Sequence, residues 1–394
     1  MLPDVRTAWA KPQLMKTEMS MMANRFFVPV LLNTIVVGLA AAAQPPANPA
    51  PRRSQVSAQS PQVLADGRVT FRLRAPKAGE VAVNGQWPNG HTTMAKDGND
   101  VWSVTVGPIS SGIWEYSLQV DGVQMIDPGN PAIKPMREPR TSILHIPGQP
   151  PLLHDFQNVP HGVVHEHTYF SKSLNRVREL VVYTPPAYEK QADARFPTLY
   201  LQHGMGDNQA TWVVHGKAHW ILDNLIAQGR ARPMVMVMMD GHAAPPGLGG
   251  FESNTTAFQR DLLEDVMLFV EANYRVKTDA ASRAIAGLSM GGGQSLTIGL
   301  NHLDQFAWVA GFSSAVPSRE AIADTLNDAK GANEKLKLLW IGCGKDDFLR
   351  QRNEEFISLL KEKDLHHEWH LTDGNHSWPV WRIYLAELAP KLFQ

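Results

Sequence analysis

A mainly parallel α/β sheet domain, preceded by a small all-β sandwich, is the fold class this 394-residue chain predicts. Three observations carry the prediction. Between about residues 61 and 147 the apolar residues alternate at period two in short runs. After Pro150 short apolar strands alternate with amphipathic helical stretches, the pattern of a parallel sheet flanked by helices. The residues with chemical character in this second part each stand just past a strand, where open parallel sheets bind their ligands.

Taken in order, the chain begins with residues 1–43, in which "MMANRFFVPVLLNTIVVGLAAAAQPP" sets Arg25 before an apolar stretch that ends in Ala40–Ala43. Charge, apolar core and small-residue cluster in that order read as a secretory signal, with a start at Met21 or Met22, and predict a secreted or periplasmic protein with no stable membrane insertion after cleavage. Residues 44–60, "QPPANPAPRRSQVSAQS", have no apolar period and read as a flexible linker. Residues 61–147 supply the sandwich: "GRVTFRLRAP" places Val69, Phe71 and Leu73 on one face, "EVAVNGQW" and "VWSVTVG" alternate likewise, and "WEYSLQVDG" ends in an Asp-Gly turn. Residues 148–394 supply the α/β domain through "RFPTLYLQHG", "GKAHWILDNLIAQG", "RPMVMVMMDG", "QRDLLEDVMLFVEANY", "SRAIAGLSMGG", "FAWVAGFSS", "KLKLLWIGCGK", "EEFISLLKEK", "HHEWHLTDG" and "WRIYLAELAPKLF".

Composition excludes several classes. A net charge of −1 argues against the electrostatic footprint of a nucleic-acid or anionic-membrane binder. The single cysteine, Cys343, forbids an intrachain disulfide and lies in the apolar run "LLWIGCG", as a buried structural thiol does. His161, His165 and His167 alternate along one stretch, but no carboxylate or cysteine set accompanies them, so no metal is expected. "GLGG" lacks the Lys-Ser/Thr of a phosphate loop, and no other cofactor is called for.

The chemistry centres on Gly287-Leu288-Ser289-Met290-Gly291, a G-x-S-x-G pentapeptide. Such a match arises by chance roughly 0.1–0.2 times in a chain this long, so its setting has to carry it. It sits between an apolar strand and a helix, where a serine on a tight turn needs small neighbours two residues either side. A serine hydroxyl is a weak nucleophile without a base. The last histidine, His376 in "TDGNHSWPVW", follows a strand in the position a base requires. The acid should lie between them, and Asp346 or Asp347, just past "LLWIGCG", can orient the imidazole. An oxyanion calls for the N–H of Met290 and donors near Gly204 and Met205 in the His-Gly-x-Gly loop after "PTLYL".

"RVRELVVYTPPAYEK", "YLQHGMGDNQATW", "NYRVKTDAASRAIAGLSMGGGQSL", "LLWIGCGKDDFL" and "NHSWPVWRIYL" together resemble the esterase D-like α/β-hydrolases, the group of feruloyl and acetyl-xylan esterases (carbohydrate esterase family 1) and enterochelin esterases. The resemblance covers residues 160–394. It implies Ser289 as nucleophile, His376 as base and, three past the glycine of "CGxxD", Asp347 as acid. Gln202 and Asn375 depart from the group's usual Leu and Gly. Trp87, Trp102, Gly112, Tyr116, Val120-Asp121-Gly122 and Asp127-Pro128 likewise resemble the family 48 carbohydrate-binding modules, which implies an immunoglobulin-like sandwich. The paired resemblance implies a serine esterase acting on carbohydrate esters of the plant cell wall, feruloyl or acetyl esters of xylan foremost. Trp212 and Trp378 then become expected substrate-binding residues, and residues 240–254 a lid or wall. The rival readings are an acyltransferase or siderophore esterase on the same scaffold, and a carbohydrate-binding protein with an inactive hydrolase domain. The sequence leaves the oligomeric state open.

Overall fold

Alternation of buried and exposed side chains produces two antiparallel sheets in the N-terminal part of the computed structural model, which describes residues 59–245 and 250–394. The expected signal segment, most of the linker, and residues 246–249 of the Gly/Pro loop lie outside the described residues. The strands are β1 (Gln62–Val63), β2 (Val69–Arg74), β3 (Val81–Gly85), β4 (His91–Thr93), β5 (Ala95–Lys96), β6 (Val101–Val106), β7 (Gly112–Val120), β8 (Val123–Met125) and β9 (Ser142–Ile146). One sheet has the order β1-β2-β6-β5; the other has β4-β3-β7-β8, with β9 also paired to β7. Val69, Phe71 and Leu73 of β2 point into one core with Val81 and Val83 of β3 and Tyr116 and Leu118 of β7. The Asp-Gly pair makes the expected two-residue hairpin, with Val120 opposite Val123 and both turn residues at positive φ (Asp121 48°, Gly122 84°).

Eight further strands form the second part: β10 (Val163–Ser171), β11 (Arg176–Thr184), β12 (Thr198–Gln202), β13 (Val235–Met239), β14 (Arg283–Leu288), β15 (Trp308–Phe312), β16 (Leu338–Gly344) and β17 (Glu368–Thr372). Their order is β10-β11-β13-β12-β14-β15-β16-β17, parallel throughout except for β10 and β11. The helices are α1 (Thr211–Val214), α2 (Ala218–Ala227), α3 (Phe251–Arg260), α4 (Met267–Asn273), α5 (Met290–Asn301), α6 (Ala323–Asn327), α7 (Ala329–Lys335), α8 (Arg350–Glu362) and α9 (Trp378–Leu388). Because successive strand residues face opposite sides, Leu180 and Val182 join one core with α5 and α8, while Val181 and Tyr183 join the other with α2 and α9. That two-faced burial makes the central strands apolar runs rather than alternating ones.

Two features differ from the sequence expectation. The β10–β11 hairpin is absent from the expected series, because β10 lies at the sheet edge and mixes exposed with partly buried residues. Between α3 and α4 the helix widens into a π-helical segment, Asp261–Val266, where the buried Asp261 carboxylate accepts the Tyr169 hydroxyl at 2.8 Å and lies 2.9 Å from Arg178 Nε. A period-3.6 pattern cannot reveal that insertion.

Candidate active site

Ser289 is the hinge between β14 and α5, and its backbone is strained: φ is 54° and ψ is −117°. Such a conformation costs a non-glycine residue about 1–3 kcal/mol and persists only when the surroundings hold it. Here the Ser289 amide donates to Phe312 O at 2.8 Å, and Ser289 O accepts from the amides of Gly293 at 3.0 Å and Ala315 at 2.9 Å. The flanking glycines are required by contact. A Cβ on Gly287 would stand 2.5 Å from Gly291 O, and one on Gly291 would stand 2.3 Å from His203 O. The bend therefore thrusts the hydroxyl out over the sheet edge at the start of a helix, where free N–H groups favour negative charge.

The loops after β16 and β17 close on that hydroxyl. Ser289 Oγ lies 2.9 Å from His376 Nε2, and His376 Nδ1 lies 2.9 Å from Asp347 Oδ2 and 3.0 Å from Oδ1. An ionised carboxylate only accepts, so Nδ1 carries the proton and Nε2 is left to accept from the serine. Burial alone would raise the Asp347 carboxyl, but His376 and the Leu349 amide, at 2.8 Å, outweigh it and hold the group below the ordinary carboxylate range. Asp346 is exposed. Cys343, fully buried behind the site, has its thiol pushed up to about 12 by burial and by the Asp347 charge, so it is inert.

Met290 is the first residue of α5, so its N–H has no intrahelical acceptor. Gly204 lies against Ser289, where a Cβ would meet Leu288 Cδ1 at 2.6 Å and Ser289 Cβ at 3.3 Å. The main chain at residue 204 thus comes this near Ser289 only because it carries no side chain.

The loop is clasped from outside by the N-terminal part. Met136 and Asp207 form an antiparallel bridge, the Arg137 amide donates to Gly206 O at 2.9 Å, and Thr211 Oγ1 donates to Pro135 O at 2.7 Å. Beneath them the buried Lys134 ammonium lies 3.0 Å from both Glu115 Oε1 of β7 and Asp207 Oδ1. It also stands 5.8 Å from the Trp378 ring centroid. Burial raises the Asp207 carboxyl, and the charge of Lys134 only partly counters it. On the other side Arg382 of α9, 3% exposed, donates to His215 O at 2.9 Å and to Ile113 O at 3.3 Å. No local sequence signal announces this network, whose members are scattered over more than 260 residues.

The expected substrate-binding role of Trp212 and Trp378 is corrected. Trp212 and Trp378 are 1% and 2% exposed, packed edge to face at 4.9 Å, with Trp212 Nε1 donating to Gln202 O at 2.8 Å. They are core residues that support the loops from below, and neither presents a ring to substrate. The exposed apolar groups at the site are instead Met205, 74% exposed, and Phe348, 75% exposed with its ring 4.4 Å from that of His376. Phe348 follows the Asp346-Asp347 pair directly, so its position in a loop that must reach His376 was the available signal. In the 240–254 loop, Asn254 Oδ1 accepts the amides of Ala243 and Ala244 at 2.8 and 2.9 Å, which ties the described ends together. His161 is engaged by Asp223 Oδ2 and Gln157 O, each at 2.9 Å. Among the described residues no group of three His, Cys, Asp or Glu side chains could hold a metal.

Residues 171–392 match the Esterase family. A curated "Endo-1,4-beta-xylanase/feruloyl esterase" from Xylanibacter ruminicola is 31% identical over 349 residues, 86% of this chain but 47% of that protein, so the chain spans about half of that relative's length. Among solved structures, a ferulic acid esterase is 27% identical with a TM-score of 0.52, covering 60% of this chain and all of its own. The enterobactin esterase of Shigella flexneri shares 20% identity and a TM-score of 0.60 over 83% of this chain and 93% of its own, which speaks to the fold alone.

Proposed function

The chain belongs to the Esterase family of carboxylic-ester hydrolases, and from that premise we propose that it is a secreted serine esterase acting on carbohydrate esters, feruloyl or acetyl esters of xylan foremost. The observation that carries the reading is the continuous line from Ser289 Oγ through His376 to Asp347, each step 2.9 Å, at the end of the strained β14 turn.

The chemistry follows from that line. Ser289 Oγ attacks the ester carbonyl carbon as His376 Nε2 takes its proton. The developing oxyanion meets the N–H of Met290 and those of the Gly204-Met205 segment, donors worth about a hundredfold to a thousandfold in rate each. Asp347 remains ionised and steadies the imidazolium. Collapse expels the sugar alkoxide, which takes the proton from His376 and leaves an acyl-serine. Water then repeats the sequence and releases the acid. Met205 and Phe348, flanking the opening, give an acyl group its apolar contacts.

In the same proposal residues 61–147 form an immunoglobulin-like, carbohydrate-binding-type domain, residues 148–394 the α/β-hydrolase domain, and residues 1–43 an export signal cleaved before residue 44. The two N-terminal sheets and the clasp on the oxyanion loop favour a packing role for this domain. Trp87, 6% exposed and stacked on Phe71 at 5.7 Å, serves its core rather than a sugar platform.

A fluorophosphonate probe tests the site: labelling is expected in the native protein and lost in Ser289→Ala. A panel of methyl ferulate, acetylated xylan and a catecholate trilactone then reads the acyl preference, with ferulate release expected first. Turnover of the trilactone alone would move the assignment to a siderophore esterase. N-terminal sequencing of the exported protein tests cleavage.

A further inference from the structure

The sheet edge that carries Ser289 also carries a cavity of about 320 Å³ beside the loop after β12. It lies between the start of β11, residues 240–244 after β13, and Gln209. Because β11 runs antiparallel to β13, its first residues stand at the same edge as the carboxyl ends of the parallel strands. The size is at the lower end of the range for small-molecule sites.

Hydrogen-bond accounting shows what the cavity lacks. Glu179 Oε2 already accepts Gln209 Nε2 at 2.6 Å, and Asp240 Oδ1 accepts the His242 amide at 2.9 Å and lies 3.4 Å from His203 Nε2. Arg178 is consumed by Asp261, at 2.9 Å, and by carbonyls of Asp240 and His242. Arg176 uses only Nη2, on the carbonyls of His242 and Ala243 at 3.1 and 2.6 Å. Arg137 is tied through its backbone amide to Gly206 O, and its guanidinium has no carboxylate partner among the described residues. Arg137 and Arg176 therefore keep unengaged guanidinium N–H donors on one cavity, beside the two lining carboxylates, Glu179 and Asp240, each of which already holds one donor. Burial and the charges of Arg178 and Arg137 lower the Arg176 pKa, and the nearby carboxylates of Asp240 and Asp261 only partly offset them. Guanidinium forks match planar, acceptor-only anions, and carboxylates in particular.

Position decides which part of the substrate carries that anion. From β11 to β14 the sheet crosses three strand spacings of ~4.8 Å, which puts the cavity about 14 Å from the nucleophile's strand. An acyl group seated on Ser289 does not extend that far, whereas an oligosaccharide does. We propose that Arg137 and Arg176 form an anion subsite that receives the carboxylate of a uronic-acid residue on the carbohydrate portion of the ester. The inference rests on the carbohydrate-ester reading and deepens it.

Two measurements separate its failure from that of the reading beneath it. The first compares feruloylated xylo-oligosaccharides with and without a glucuronic-acid branch. The native enzyme is expected to favour the acidic ester roughly tenfold in kcat/KM, through KM, with the preference eroding between 50 and 500 mM NaCl. Arg137→Ala/Arg176→Ala should bring the ratio to about one, and Arg176→Lys should leave part of it. Equal kcat/KM for the two esters in the native enzyme, or a ratio unchanged in the double variant, overturns the subsite. The second titrates Ser289→Ala with ester-free acidic and neutral xylo-oligosaccharides by calorimetry. Tighter binding of the acidic sugar that disappears in Ser289→Ala/Arg137→Ala/Arg176→Ala supports the subsite even if no feruloyl ester is cleaved. Indifference to the carboxylate removes the subsite even if the esterase reading stands.

Discussion

At the scale of single residues, the line Ser289–His376–Asp347 makes demands that differ by position. Ser289→Ala and His376→Ala should each lower kcat on methyl ferulate about 10³-fold or more, and the double variant should be little worse than either, since the groups act as a unit. Asp347→Asn should cost far more than Asp346→Asn, because only Asp347 is within hydrogen-bond reach of His376 while Asp346 is exposed. An equal loss in the two variants would remove Asp347 from the line. Phe348→Ala should act chiefly on KM for aromatic esters, because the ring touches the imidazole face yet bonds to no reacting atom.

At the scale of elements, the turn from β14 into α5 is where packing and chemistry are the same requirement. Gly291→Ala would push a methyl group to 2.3 Å from His203 O, so either α5 or the loop after β12 must shift. The expected result is a lower thermal midpoint together with a loss in kcat of at least tenfold, read on the same preparation by calorimetry and steady-state kinetics, since a 1 Å misplacement can cost about a hundredfold. The sequence was most legible here, because glycines at a strand end report close backbone approach directly, and apolar runs report strands buried on both faces. It was least legible where residues distant in the chain meet. Trp212 and Trp378 stand close in sequence to Gly204-Met205 and to His376, yet their rings turn inward to each other. Flanking position fixes a backbone location, and only the packing of α1 against α9 decides where a ring points. Lys134, Glu115 and Asp207 give no pattern at all, since a buried ion group looks in sequence like any surface charge. The π-helical segment was hidden for the same reason: one buried aspartate partner, Arg178, lies 83 positions away in the chain from Asp261.

At the scale of the whole molecule, the described chain from residue 59 onward lies within one compact unit, Val56–Gln394. Lys134→Met would leave the Glu115 and Asp207 carboxylates facing each other in a buried site, an arrangement that costs about 3–5 kcal/mol when one partner of a buried pair is removed. Its expected signature is a lower kcat with KM little changed, partly restored by Lys134→Arg, and a stability deficit that shrinks on acidification as a carboxyl takes up a proton. The native protein should show the opposite trend. Burial lowers His154 to about 4 and His219 to about 3, and holds His215 well below its ordinary value. Such groups bind more protons unfolded than folded, so their contribution is complete above about pH 6.5 and is lost as pH falls toward those values. The thermal midpoint should therefore drop between pH 7 and pH 5, before carboxylates of ordinary pKa begin to protonate. The clasp between residues 135–137 and the loop at 206–211 has a bearing on engineering. A module strung on a flexible tether can be exchanged freely, whereas one that lends main-chain partners to its neighbour's loop has to be exchanged together with those contacts. Chimeras joined near residue 148 are thus expected to express as soluble protein and to hydrolyse esters poorly, until the donor's own 134–137 stretch is carried across.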